Sequence, residues 1–317
     1  MEKGLISFVM TIYRRFEGVY ETLDTLFEQD YPAIELILSD DGSEGWEAEL
    51  PKLKAYIDGH KGPNIRRVLY LHEPENVGTV KNSRDAYLAS SGEYIKDLAP
   101  EDLLTSPHAL SRYVELLEES GCLIGFCRVE GVTEDGRIMK HLASSAENYD
   151  EMKEMTPLQL RDRLFVRNCL PAPAWFAKRE LFDRYGQYTD VTRLIEDYPY
   201  WIHLCTEGAK IAFWNETLIR YRLSGSGMGS YGEMFMKDMF SIYENCIFPL
   251  DRRYGVFQPV YNALKKAGLG AYMDRARWGR YSAGQKALAI IRHGPFFAYI
   301  SLGEARMRRR NERDRAA

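Results

Sequence analysis

Across the first hundred residues, short apolar runs alternate with segments whose apolar side chains recur at helical spacing. That alternation restricts the chain to a parallel sheet covered by helices. The runs are Leu5-Ile6-Ser7-Phe8-Val9-Met10, Glu35-Leu36-Ile37-Leu38, Val68-Leu69-Tyr70-Leu71 and Tyr94-Ile95-Lys96-Asp97-Leu98, and residues 19–29, 50–57 and 80–90 read as the intervening helices. Two runs lead into carboxylates, Asp40-Asp41-Gly42-Ser43 and Ala99-Pro100-Glu101-Asp102. In open α/β sheets ligands bind beyond the carboxyl ends of the strands, so both acidic turns fall where a nucleotide and its metal would sit.

Further along, residues 111–119 read as a helix, 123–129 as a strand, and Asp135-Gly136 as a hairpin turn. The polar stretch 144–163, with weak helical signals, reads as a mobile loop. An apolar segment at 172–176 follows, then Leu194-Ile195-Glu196-Asp197 leads into a helix with Trp201, Leu204 and Cys205 on its apolar face. Residues 211–214 and 218–221 read as a last pair of strands. Beyond a Gly/Ser/Met-rich segment at 224–232, helical patterns appear at 233–245, 260–266 and 283–291. The expected organisation is a nucleotide-binding half (1–105), a second half of the same domain (106–224) and a helical C-terminal extension (225–317).

With 45% hydrophobic and 28% charged residues, the chain has the composition of a globular protein able to bury a large core. Its net charge of −4 provides no global attraction for nucleic acid. Five cysteines without a C-x-x-C pair, behind an N-terminal run too short for a secretory or spanning segment, point to reduced thiols in the cytoplasm. The tail departs from the average: Gly294-Pro295-Phe296-Phe297-Ala298-Tyr299-Ile300 precedes six arginines between Arg306 and Arg315. It reads as a peripheral contact with an anionic membrane, or as a docked helix.

Taken together, Phe8-Val9-Met10-Thr11-Ile12-Tyr13, Asp40-Asp41-Gly42-Ser43, Asn76-Val77-Gly78-Thr79, Gly92-Glu93-Tyr94-Ile95, Glu101-Asp102 and Ile195-Glu196-Asp197 resemble a family 2 glycosyltransferase of the GT-A fold. Within that family the resemblance is to transferases of spore-coat and capsular polysaccharide. It spans residues 5–222 and implies a Rossmann-like, mixed but mostly parallel sheet flanked by helices. It also implies an inverting, metal-dependent transfer of a sugar from a nucleotide-sugar, with UDP as the nucleotide, to a hydroxyl of a glycan or lipid-linked glycan.

By the same resemblance Thr11 and Tyr13 line the base and one carboxylate of Asp40 and Asp41 accepts the uracil N–H. Asn76, Gly78, Lys81 and Arg84 face phosphate or sugar, Asp102 with Glu101 holds Mg²⁺ or Mn²⁺, and Asp197 is the base with Glu196 beside it. Each piece also has a plainer reading: a solvated turn at Asp40–Ser43, a surface helix carrying Lys81 and Arg84, an acidic helix start at Glu101-Asp102, and a helix cap at Asp197. Two departures stand out. Ala99 replaces the first aspartate of the usual Asp-x-Asp-Asp, and Tyr221-Arg222-Leu223-Ser224 lacks the histidine that many relatives carry there, leaving Arg220 and Arg222 as diphosphate candidates. These departures motivate the rival reading of a catalytically weak nucleotide-sugar or glycan-binding protein. A sugar nucleotidylyltransferase would need a Gly-rich loop after the first strand, and Thr11-Ile12-Tyr13-Arg14-Arg15 is not one.

Overall fold

Residues 5–10 of the first strand, β1 (Glu2–Ile12), and all seven of the second, β2 (Ile34–Asp40), are buried or nearly so, as in central strands covered on both faces. In this computed structural model, which describes residues 1–133, 138–139, 147–222 and 232–294, β1 pairs in parallel with β2 and with β4 (Gly92–Asp97). β2 pairs in parallel with β3 (Ile65–His72). The crossovers are α1 (Phe16–Phe27), α2 (Trp46–His60) and α3 (Thr79–Ala89), so the strand-helix alternation read from the apolar runs is present. α1 turns Val19, Leu23 and Leu26 inward, and its buried Thr22 donates a hydroxyl hydrogen bond to the Asp102 carbonyl at 2.9 Å.

β5 (Leu103–Leu104), β6 (Ile124–Val132), β7 (Ile138–Met139), β8 (Trp175–Lys178) and β9 (Ile211–Arg222) complete the order β3-β2-β1-β4-β8-β6-β9-β5, with β7 on β6. The long ladders, including β6 with β9, are parallel, whereas β8 enters antiparallel between β4 and β6. This is the expected α/β fold, a mixed and mostly parallel sheet flanked by helices. α4 (Ala109–Ser120) packs on β8 and β9. No helix among the described residues is long and apolar enough to cross a membrane.

Two expectations are corrected. Residues 211–214 and 218–221 form one strand rather than a pair, because Asn215 and Glu216, which resemble a turn, find partners on β6 and α4. Arg128 donates to Asn215 Oδ1 at 2.9 Å, Arg112 holds Glu216 at 2.7 Å, and register shifts along β6–β9 absorb the extra residues. The segment read as a mobile loop contains, within its described part, α5 (Tyr149–Lys153) and α6 (Pro157–Leu164). These helices are too short to show periodicity and are fixed by their caps. Asn148 accepts from two amides, and Thr156 with Gln159 makes a reciprocal capping box. The Asp135-Gly136 turn lies outside the described residues, as does the aromatic and arginine-rich tail beyond residue 294. Among the five cysteines none is bonded to another.

The chain divides into two compact units, Met1–Gly225 and Ser226–Ala317. α7 (Glu180–Tyr185) and α8 (Asp197–Thr206) complete the helices of the first. The second holds α9 (Glu233–Ile242), which continues into a wider π turn at Tyr243–Ile247, then α10 (Gln258–Arg277) and a helix over 283–294, α11. His293 on α11 meets Asp274 of α10 at 2.8 Å, and Tyr281 donates to the other Asp274 oxygen at 2.8 Å.

A carboxylate sits in the middle of the core at Glu35, fully enclosed on β2. Burial opposes its charge, but Ser7 Oγ at 2.6 Å, the Ser91 amide and hydroxyl, and the Arg67 guanidinium hold it ionised below the ordinary carboxylate range. A depressed folded-state value contributes stability that is complete above the unfolded value of 4.5 and disappears as pH falls through the folded one. Glu35→Gln is therefore expected to lose about 1–3 kcal/mol at pH 7 and to show a shallower loss of stability below pH ~4.5, measured by urea unfolding at stepped pH. An unchanged acid limb in the variant contradicts this account.

Candidate active site

At the carboxyl ends of β1 and β2 the chain makes two tight turns that interlock. The Asp41 amide donates to Ile12 O at 2.8 Å and the Arg14 amide to Ser43 Oγ at 2.7 Å. Asp40 is fully buried, and its Oδ2 accepts from the Ser43 amide and from His72 Nδ1, both at 2.9 Å. Asp41 turns the other way. It accepts from the Val77 amide at 2.6 Å, the Gly78 amide at 3.1 Å and Asn76 Nδ2 at 2.8 Å, so its carboxylate gathers the loop between β3 and α3. Burial pushes Asp41 up despite those donors. Thr11 lies on the last turn of β1, and Tyr13, half-exposed just beyond it, stacks under the Arg14 guanidinium at 4.9 Å.

Glycines make this interlock possible. A Cβ on Gly42, whose φ is +64°, would lie 2.3 Å from the Glu75 carbonyl carbon; one on Gly78, at φ +95°, would lie 2.7 Å from Arg193 O. Arg193 was not singled out from the sequence. It donates to both Asn76 O and Asn76 Oδ1, at 2.6 and 2.7 Å, and its own carbonyl accepts from the Val80 amide. The segment leading into α8 is thereby tied to the loop that Asp41 holds.

Lys81 and Arg84 do not present uncompensated charge. Lys81 lies 3.0 Å from Glu73 and 2.6 Å from Asp85, and Arg84 contacts Asp190 at 2.8 Å and Tyr188 O. Their spacing places them on α3, each paired with carboxylates at a solvent-accessible surface. Arg220 and Arg222 are likewise engaged, by Glu130 and Glu21. A cavity of about 300 Å³ beyond β1–β3 is lined by Arg14, Ser43, Glu44, Trp46, His72 and Pro74, with the Trp46 and His72 rings parallel at 5.8 Å.

The end of β4 concentrates charge. Lys96 is fully buried and donates to Asp97 O, Pro173 O and Trp175 O at 2.8, 2.7 and 3.1 Å; burial lowers it to about 8. Asp97 accepts from the Tyr87 hydroxyl and is pushed up by desolvation to about 6. Asp102, 4% exposed, is pushed by burial to about 8, opposed mainly by the Arg222 amide at 3.2 Å. Glu101, at φ +77°, is held by its amide on Gly18 O and meets Arg15 at 3.3 Å. Lys96 and Asp97 escaped the sequence reading. Their signal was there, two charges directly after the apolar Tyr94-Ile95 of the strand.

Asp197 opens α8 as its first helical residue, after Glu196 at the cap position. Its Oδ2 accepts from Asn168 Nδ2 at 2.9 Å, and Asn168 Oδ1 in turn accepts from the Leu170 amide at 3.2 Å, which fixes the amide orientation. Burial raises Asp197, with Asn168 and nearby main-chain amides opposing. Lys96, through Pro173 and Trp175, binds the same 168–175 segment to the end of β4. Tyr188, packed against Tyr87 and Tyr200, is raised first by burial and then by the charges of Glu196, Asp97 and Asp197. Among the described residues no cluster of three or more Asp, Glu, His or Cys is arranged to enclose a metal ion.

The family model for "Glycosyl transferase family 2" matches residues 7–186, which takes in both acidic turns, the Asn76–Gly78 loop and Asn168. The chain belongs to this family. Similar proteins include the putative colanic acid biosynthesis glycosyl transferase WcaA of Escherichia coli, 30% identical over 110 residues that cover 35% of this chain and 37% of that one. The chain thus spans little over a third of that relative's length. The putative teichuronic acid biosynthesis glycosyltransferase TuaG of Bacillus subtilis is 22% identical over 83% of this chain and 98% of its own. Among solved structures, Staphylococcus aureus TarS 1–349 in complex with UDP-GlcNAc superposes at a TM-score of 0.55, with 15% identity over 92% of this chain and 80% of that one. The mannosyltransferase PcManGT of Pyrobaculum calidifontis, in complex with GDP-Man and Mn²⁺, gives 0.56 with 15% identity, covering 96% and 81%. At these identities the structural likeness establishes the family's fold.

Gly78→Ala must accommodate both a positive φ and the clash with Arg193, whereas Gly186→Ala, at φ +82°, meets nothing within 4 Å. The first is expected to lose about 2–4 kcal/mol and the second about 1 kcal/mol in thermal unfolding. Equal losses would show that Arg193 yields freely and does not fix the loop.

Proposed function

We propose that the protein is an inverting, metal-dependent glycosyltransferase that moves a sugar from a nucleotide-sugar, UDP-sugar foremost, to a glycan hydroxyl in cell-surface polysaccharide synthesis. The observation that carries the reading is Asp197, a buried carboxylate held by Asn168 through one oxygen, joined through the 168–175 segment to the acidic end of β4. The names of the relatives, colanic and teichuronic acid transferases, support the substrate class, and the neighbours' UDP-GlcNAc and GDP-Man support the donor class. In this reading residues 1–105 bind the donor, 106–224 the acceptor, and 225–317 form the helical extension.

Thr11 and Tyr13 line the base. One carboxylate of Asp40 and Asp41 takes the N–H of the base: Asp41 already accepts from three donors, whereas Asp40 Oδ1 is buried without a protein partner. Asn76 and Gly78 shape the wall beside it. Asp102, with Glu101 next to it, is the group that would hold Mg²⁺ or Mn²⁺. It fits such an ion, since these cations take one or two protein carboxylates plus substrate phosphates, and a buried carboxylate with one long amide contact gains most from a cation. Bound there, the metal would neutralise the departing diphosphate.

Asp197 removes the proton of the acceptor hydroxyl while the new C–O bond forms at the anomeric carbon on the face opposite the breaking bond to diphosphate. Glu196 borders the acceptor. Asn168 positions Asp197 and favours its charged form.

Turnover of UDP-, GDP- and dTDP-sugars with and without Mn²⁺ tests the reading; metal-dependent UDP binding with no turnover on any acceptor would favour the binding-protein alternative. Two variants separate the acidic sites. Asp102→Asn should weaken metal-supported UDP binding in calorimetry, and Asp197→Asn should keep binding but lose transfer by roughly 10²–10⁴-fold. Near-normal transfer by Asp197→Asn at saturating substrates transfers the base role to Glu196.

Asn168→Ala removes a donor to the ionised base. A base works deprotonated, so a higher value moves the acidic limb of the kcat/KM profile to higher pH while activity on the alkaline side is retained. A uniform loss at all pH values would make Asn168 a packing residue only.

A further inference from the structure

The two units carry opposite charge. Residues 226–317 hold 16 Lys and Arg against 8 Asp and Glu, whereas residues 1–225 hold 26 against 38. The chain's modest net charge of −4 therefore hides a strongly cationic C-terminal unit.

That unit also turns apolar residues outward. On α11 Ala289 and His293 face inward, and Leu288 and Ile291 face out, Ile291 being 80% exposed. At the start of α10, Phe257, Val260 and Leu264 fall at i, i+3 and i+7 on one face, and Phe257 is 70% exposed. A helix in water places such a face against the core, and a contiguous exposed one marks an interaction surface. Basic groups of the same unit lie outside the ion pairs. Arg252 donates to the Phe248 and Asp251 carbonyls, Lys265 lies over the Tyr243 and Tyr261 rings, and Arg292 is exposed beside Ile291. None of those contacts cancels the charge.

We infer that the exposed apolar faces of α10 and α11, within this cationic unit, dock on an anionic lipid bilayer. Apolar side chains entering the acyl boundary, with Lys and Arg at the headgroups, are the two signals that stable peripheral binding requires. The charge also selects against the other obvious occupant. A symmetric pair of these units would bring two surfaces of the same positive sign together. The inference does not depend on the reaction that the first unit catalyses.

The test uses the full chain and vesicles of phosphatidylcholine, with or without phosphatidylglycerol, in co-sedimentation. Binding to the anionic vesicles should exceed that to the neutral ones by about tenfold or more and should weaken as salt is raised. Phe257→Glu with Val260→Glu, and separately Leu288→Glu with Ile291→Glu, should each lower it about tenfold or more at an unchanged melting temperature, because these side chains already face water. No binding, equal binding to both vesicle types, or binding that survives both double substitutions overturns the proposal. So does an oligomer in analytical ultracentrifugation that the same substitutions dissolve, which would make a second copy the occupant. Wild-type selectivity and salt dependence decide the matter even where a variant fails to fold.

Discussion

The carboxylate of Asp41 is the contact on which the candidate site depends. It leaves the end of β2, accepts the amides of Val77 and Gly78 and the side chain of Asn76, and so fixes the backbone of the β3–α3 loop. Arg193 then grips that loop from the far side, four residues before Asp197. A single side chain thus sets the distance between the first strands and the helix that carries the proposed base. Hydrogen bonds to a charged acceptor contribute about 1.5–3 kcal/mol each, enough to hold two glycine-dependent turns in backbone contact.

The second constraint is unbalanced charge inside the sheet. Lys96, Asp97 and Asp102 all lie near the end of β4, and desolvation moves each toward its neutral form. Lys96 is satisfied by three carbonyls, and two of these belong to the strand-entry segment of β8, so the lysine fastens β4 to the chain that carries Asn168. Asp102 has no comparable set of donors. A fold that leaves one buried carboxylate short of partners is poised for a cation, which is how the loss of the usual first aspartate at Ala99 is compatible with a metal-dependent reaction.

Opposite charge in the two units has a separate physical meaning. Coulomb forces between exposed groups fade over about 8 Å at physiological salt, so each unit presents its own sign to whatever approaches it. For the docking proposed above, only the basic unit is attracted to an anionic surface, and no helix among the described residues is long and apolar enough to cross a membrane.

The strand-helix alternation, the acidic turns after β2 and β4 and the Glu196-Asp197 pair were legible in the sequence, because periodic burial and turn chemistry are local properties that a few consecutive residues encode. The same locality explains the misreadings. Asn215 and Glu216 look like a turn until Arg128 and Arg112 arrive from β6 and α4, and α5 and α6 are too short for a period and exist through their caps. Arg193, Asn168 and Lys96 carry no motif at all; each acts on a partner 29 or more residues away. The sequence by itself determined which side chains could be buried, turned or charged. Only the tertiary structure decided which charges meet, because electrostatic pairing depends on distance in space, and chain separation leaves that distance open until the sheet is assembled.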